Sequence, residues 1–284
     1  IETKIFYAGE GNKLFVYFYG LIFSEKFKIP YIHAGIPSLK IESTLHLKNK
    51  NNKTSYKIVN YLEELDKDQI NSNTTYILDY GFNPTIEDYK IYLPYINFLK
   101  NKFPFEKKDI DKEDLVYHLR AGDALLINNY NYFDSIKLNN LINSITYKKL
   151  YVVTNLEKKD LWTMDDLNKY KVKLLKKGDC GSYYKESELI NNIQMFESLK
   201  KLNSIIKILY DKNAIWISNT ILSDFNFIRS CNKIIIGIST FSWWAAVLSD
   251  AEKVYSPKNW KYLKGKKNKN LSQTELNNWN SVDF

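Results

Sequence analysis

The chain is poor in the side chains that carry most protein chemistry. Its 284 residues include two cysteines, Cys180 and Cys231, three histidines, His33, His46 and His118, and two arginines, Arg120 and Arg229. Two cysteines exclude a disulfide scaffold and a four-cysteine zinc site, and they favour a reducing compartment. Cys231 falls in an apolar helical pattern, where a small buried hydrophobe is expected. No histidine and cysteine cluster has zinc spacing. No Gly-x-Ser-x-Gly elbow of a serine hydrolase occurs. No run of about 18 apolar residues exists, so no membrane span is expected. No signal peptide is visible, and a start at Ile1 rather than Met suggests a removed upstream segment. Internal repeats and flexible linkers rich in Gly, Ser or Pro are also missing.

What is present is a globular balance of 44% hydrophobic and 26% charged residues, which excludes disorder and fibre. The length suits one large domain or two modest ones. The net charge of +9 is compatible with an anionic ligand, nucleic acid or peripheral contact with a membrane surface. Lysines are spread along the chain, with one dense patch at 261–269 that is expected to be a solvated tail. In a chain so rich in lysine, a retained arginine marks a place where a point charge does not suffice. Only the planar guanidinium fork grips phosphate or carboxylate through two parallel hydrogen bonds. Arg120 is therefore either an anion ligand or one half of a structural ion pair.

Strand and helix patterns alternate, which predicts an α/β architecture with parallel sheets. Strands are expected at Thr3–Tyr7, Thr75–Asp79, Leu115–Leu119, Leu150–Thr154, Lys171–Leu175, Ala214–Ser218, Lys233–Gly237 and Lys253–Ser256. Helices are expected at Lys13–Lys28, Thr85–Phe103 with a break near Pro94, Glu186–Tyr210, Leu222–Cys231 and Phe241–Leu248. The domains are drawn at 1–112, 113–262 and a basic tail 263–284, with the main boundary in the charged stretch after Pro104.

Three strand-to-loop junctions can carry chemistry, because open α/β sheets bind ligands at the carboxyl ends of their strands. In the first, Gly9-Glu-Gly-Asn12 forms a turn that opens a helix, and its glycines let amides approach an anion. The second is His118-Leu-Arg-Ala-Gly-Asp123. His118 and Arg120 share one face of the strand, Gly122 permits a sharp turn, and Asp123 can orient Arg120 or accept a proton. The third is the apolar strand from Lys233 that ends in Ser239, Thr240 and Ser242 at a helix start. Those hydroxyls can cap the helix and, with its free amides, hold an anion. Trp243 and Trp244 follow, with at least one expected in the core.

Two Asp-x-Asp pairs, Asp66-Lys-Asp68 and Asp109-Ile-Asp111, match the pattern of manganese-using sugar transferases. Neither follows a buried strand that would hold it rigid, so both are expected on the solvated surface. A nucleic-acid-binding role is compatible with the tyrosines and the lysine patch, but no recognition motif occurs.

Together the junctions resemble the α-1,2-fucosyltransferases of glycosyltransferase family 11. Gly9-Glu-Gly-Asn-Lys-Leu-Phe15 looks like the family's glycine-rich start. His118-Leu-Arg-Ala-Gly-Asp123 resembles its His-x-Arg-Arg-x-Asp motif. Asp224–Cys231, Ser239-Thr-Phe-Ser-Trp-Trp244 and Ser256-Pro-Lys-Asn-Trp260 are similar to its C-terminal block. Ala121 stands in place of the second arginine, Glu10 and Lys13 in place of Leu and Gln, and Gly237-Ile238 in place of Ala-Asn. The resemblance implies a GT-B-like fold, with two Rossmann-like α/β halves facing a cleft. It also implies an enzyme that moves fucose from GDP-fucose, or a related nucleotide sugar, to a glycan hydroxyl with inversion, and without metal or other cofactor. Apart from the resemblance, a cytoplasmic location, with or without contact to the membrane surface, is expected, and a luminal one stays open. Nucleic acid is not an expected partner. Arg120, Asp123 and Asn12 become candidate catalytic residues, and His118, Gly11, Gly122, Ser239, Thr240 and Ser242 candidate donor-binding residues. Asp123 and Glu10 are the candidates for the base.

Overall fold

A computed structural model of the chain describes residues 2–3, 9–45, 55–59, 74–78, 92–126, 134–156, 159–177, 189–257 and 279–282. The described residues divide into two compact units, one within Ile1–Pro104 and the other within Phe105–Tyr262 and Trp279–Val282.

The first unit holds a parallel three-stranded sheet in the order β1 (Glu2–Thr3), β3 (Thr74–Leu78), β2 (Ser55–Val59). Its main helix, α1, spans Glu10–Phe27, and a short α2 covers Ile96–Lys102. The aromatic richness of α1 is a core signature, because Leu14, Phe15, Phe18, Tyr19, Ile22 and Phe23 are all buried. Tyr92 completes this core: its ring meets Phe15 edge-on at 5.5 Å and its hydroxyl donates to the Phe15 carbonyl at 3.0 Å.

Helix α1 starts earlier than expected. Gly9 is its N-cap in extended conformation, and the amides of Asn12 and Lys13 donate to the Gly9 carbonyl at 3.0 and 3.2 Å. Glu10, Gly11 and Asn12 therefore form the first helical turn rather than a separate loop. Glu10 suits that place, since a carboxylate near a helix N-terminus meets the positive end of its dipole.

The second unit is a six-stranded sheet with every neighbouring pair parallel, in the order β6, β5, β4, β7, β8, β9. The strands are β4 (Leu115–Leu119), β5 (Leu150–Thr154), β6 (Ile215–Ile217), β7 (Lys233–Ile235), β8 (Lys253–Pro257) and β9 (Trp279–Val282). Numbered within the unit, that order is 3-2-1-4-5-6, the doubly wound Rossmann arrangement. The chain runs outward from β4 in one direction and then returns to start β7 on its other side. The helices between strands are α3 (Ser135–Ser144), α4 (Met164–Lys177), α5 (Asn192–Asp211), α6 (Ile221–Ser230) and α7 (Thr240–Val247).

Every residue of β4 is buried, as both faces of a parallel sheet require. Tyr117 and Leu119 pack with Leu138 and Ile142 of α3 and Leu202 and Ile206 of α5. Helix starts are well specified. Asp134 accepts from the amides of Ile136 and Lys137, and Asn191 with Gln194 forms a reciprocal capping box on α5. At the opposite strand ends, the buried Lys233 Nζ donates to Glu113 at 2.6 Å and to the Thr146 carbonyl at 2.8 Å.

Three expectations are corrected. Lys171–Leu175 is not a strand but part of α4. Its apolar alternation is exposed at Val172 and Leu175, while Leu167, four positions before Lys171, is fully buried. The connector 105–113 packs on the second unit instead of ending the first domain. Phe105 lies under the Arg229 guanidinium at 3.8 Å, and the Lys108 amide donates to Ser230 Oγ at 2.8 Å. Within the expected tail, Trp279–Val282 adds the strand β9, and Trp279 reaches the Trp243 ring at 6.4 Å. The lysine patch at 261–269 lies outside the described residues.

Candidate functional site at the switch point of the second unit

The strand order reverses between β4 and β7, and the second and third junctions end on these two strands. In open α/β sheets a crevice forms where neighbouring connections leave in opposite directions. Sequence distance has hidden this neighbourhood: His118 and Ser239 are far apart in the chain but belong to adjacent strand ends.

Contact across the switch point is close. A methyl group at Gly237 would lie 2.7 Å from the His118 carbonyl oxygen, 3.7 Å from the Arg120 nitrogen and 3.8 Å from His118 Nδ1. Ordinary packing does not allow the first of these distances, so only glycine lets β7 leave the sheet here. His118 is 7% exposed, and its Nδ1 has no hydrogen-bond partner among the described residues. Its ring stands 5.8 Å from that of Phe241 in the first turn of α7. Burial, reinforced by the charge of Arg120, pushes its pKa down to about 3. The imidazole is therefore neutral at physiological pH, able to accept a hydrogen bond at one nitrogen and donate from the other. Arg120 is half-buried beside it.

After Arg120 the chain turns through Ala121 and Gly122 into a short 3₁₀ turn, Gly122–Leu125. Gly122 has φ +69°, where a side chain is strained. A methyl there would also lie 2.7 Å from the Tyr170 hydroxyl and 2.8 Å from Asn155 Nδ2. Asn155 Oδ1 accepts the Ala121 amide at 3.2 Å. Neither Asn155 nor Tyr170 is a candidate from sequence. The available signal is that Asn155 immediately follows β5, whose last residue Thr154 pairs with Leu119. Asp123 lies in the 3₁₀ turn, and its side chain is outside the described part of the structure.

On the other side, Ser239 is the N-cap of α7, yet its hydroxyl makes no capping bond. The expectation of hydroxyl capping is thus corrected. Ser242 carries out the local bracing: fully buried, it donates to the carbonyls of Ser239 at 3.2 Å and Gly237 at 3.5 Å. Ser239 and Thr240 are also buried, at the mouth of the helix. Trp243 and Trp244 both belong to the core, edge to face at 4.8 Å. Asp224, in the similar C-terminal block, accepts the Asn219 amide at 3.0 and 3.2 Å, and burial raises its pKa. It shapes the loop before α6.

Gly11 and Asn12 belong to the first unit. Next to them, the Glu10 carboxylate accepts from Ser38 Oγ at 2.9 Å and from Lys13 Nζ at 3.3 Å. Among the described residues no group of three or more His, Cys, Asp or Glu is placed to hold a metal ion. Asp111 is exposed and pairs with Lys148 at 2.6 Å, which fits the solvated-surface reading of Asp109–Asp111. Asp66 and Asp68 lie outside the described residues. No helix among those described is long and apolar enough to cross a membrane.

Fold and switch point define a Rossmann-type α/β unit with a guanidinium and a helix start at the carboxyl edge of its sheet. Residues 187–283, from before α5 through β9, match the family model described as glycosyl transferase family 11. Over that span, about a third of the chain, the sequence is similar to this family. No curated protein and no solved structure matches the chain.

Proposed function

We propose that the protein transfers fucose from GDP-fucose to a glycan hydroxyl with inversion at the sugar carbon, in a GT-B-like enzyme whose second unit holds the donor. The supporting observation is the switch point itself. Arg120 follows one central strand and the Ser239–Thr240 helix start follows its neighbour, within one parallel sheet of Rossmann order.

The chemistry fits these groups. Cleavage of the sugar–phosphate bond leaves an oxocarbenium-like sugar and builds negative charge on the departing diphosphate. Fixed donors aimed at that charge lower the barrier. Arg120 offers a bidentate fork, and the first turn of α7 offers amides and the positive end of a helix dipole. Neutral His118 adds a hydrogen-bonding group without the desolvation cost of a second buried cation. The acceptor hydroxyl loses its proton to a carboxylate, for which Asp123 and Glu10 are the candidates. Asn12 then serves to position a sugar. No metal enters this scheme.

A thermal-shift panel of GDP, UDP, TDP and their sugars tests the donor, since a ligand that binds only the folded state raises its melting temperature. GDP and GDP-fucose should stabilise the protein most. A preference for UDP or TDP ligands would transfer the reading to another nucleotide sugar. Stabilisation by none of them would refute it.

A further inference from the structure

We infer that Asn155 is a positioning residue for the Arg120 turn, holding it in the conformation that presents the guanidinium to the donor diphosphate. The role in donor binding rests on the function proposed above.

Arg120 lies one residue beyond the end of β4 and is half-buried there. Ordering a long side chain and its turn costs conformational entropy, which a fixed turn offsets. A restraint on this turn comes from the neighbouring strand. Leu119 pairs with Thr154, so the two chains leave the sheet side by side. The next residue on β5 is Asn155, and its Oδ1 accepts the amide of Ala121, the residue after Arg120. Its Nδ2 and the Tyr170 hydroxyl then close over Gly122, each under 3.0 Å from where a methyl group would sit. Tyr170 stands on α4 and its ring meets the buried Trp162 edge-on at 6.1 Å, so this cover is tied to the core. Arg120 is thereby fixed by β4 before it and by a clamp from β5 and α4 after it. Ala121 has no side chain beyond a methyl to share this work.

The experiment uses the full chain and two readouts. Amide hydrogen exchange resolved at Ala121 reports the clamp directly. Isothermal titration with GDP reports its consequence. Asn155→Ala should speed exchange at Ala121 by about tenfold, the scale of one lost hydrogen bond, and weaken GDP binding by a similar factor. Asn155→Asp keeps an acceptor oxygen and should retain the exchange protection. Tyr170→Phe supplies a second, conservative variant, expected to loosen the turn by about threefold with the fold intact. Unchanged exchange at Ala121 in Asn155→Ala would overturn the clamp. So would faster exchange with wild-type GDP affinity. A wild type that binds no GDP refutes the proposed donor instead, and the exchange rates alone then decide whether Asn155 holds the turn.

Discussion

Gly237 and His118 meet backbone to backbone across the switch point, with room for a hydrogen but not a methyl: a carbon on Gly237 would stand 2.7 Å from the His118 carbonyl oxygen. Backbone at the centre of a sheet cannot retreat as a flexible side chain can. The two chains that bear Arg120 and Ser239 are therefore set by this contact.

Gly237→Ala should force β4 and β7 apart at their ends. Overpacking of this kind costs about 1–3 kcal/mol, read as a lower urea midpoint. The same substitution should weaken GDP binding, because both elements proposed to hold the donor start from the displaced strands. Gly9→Ala is the control: nothing lies within 4 Å of its added methyl, so it should cost about 1 kcal/mol or less. Equal effects at the two glycines would contradict the close approach.

The buried His118 makes stability depend on pH in a defined direction. Its pKa falls from 6.5 to about 3 on folding, chiefly through burial. Below 6.5 the unfolded chain takes up a proton that the folded one refuses, so stability is lost as pH falls towards 3. Between pH 7 and 5 this single group should remove roughly 2 kcal/mol. His33, also lowered by burial, acts in the same direction. The comparison is therefore with His118→Asn, whose stability should fall less steeply over that interval. Parallel curves for the two proteins would mean that His118 protonates freely in the fold.

How legible was this in the sequence? Strands β4, β5 and β7 are readable because parallel strands buried on both faces are largely continuous apolar runs. Lys171–Leu175 misleads for the converse reason: five residues of apolar alternation look like a strand when Val172 and Leu175 are merely exposed positions of an amphipathic helix. Strand β9 carries no such signal, since Asn280 and Ser281 face solvent at a sheet edge and its pairing with β8 is non-local. At the site, glycine, arginine and serine at strand ends announce themselves by type. Asn155 does not, because one asparagine among many becomes informative only when register places it beside Arg120. Ser242 has a duty that its type does not announce: a hydroxyl at a helix start suggests a ligand, and here it donates to two carbonyls.

Gly122 combines two constraints that can be separated. Any side chain there pays for a left-handed backbone, about 1–2 kcal/mol, and meets the Tyr170 hydroxyl as well. Gly122→Ala should thus abolish most sugar-transfer activity while lowering stability only moderately. Adding Tyr170→Phe removes the clash with the hydroxyl but not the backbone strain. The double variant should regain part of the activity, and a cycle of the four proteins gives the coupling. Strict additivity would show that Tyr170 does not press on the turn.

The two arginines provide the sharpest contrast, because the fold gives them opposite duties. Arg229 is 2% exposed, lies 3.8 Å above the Phe105 ring and donates to the Leu248 carbonyl at 3.4 Å. It joins the connector to α6 and the end of α7. Arg229→Lys should lower stability by about 1–2 kcal/mol through loss of the stacked plane, with little change in turnover per folded molecule. Arg120 is half-buried at the strand end, where the proposed reaction would bring a developing diphosphate charge to its fork. Arg120→Lys should leave the unfolding midpoint nearly unchanged and reduce transfer by roughly 10²–10³, almost as much as Arg120→Ala. A lysine at 120 that sustains full transfer would remove the reason for an arginine there. A large stability loss in the same variant would instead make Arg120 a structural ion-pair partner like those elsewhere in the chain.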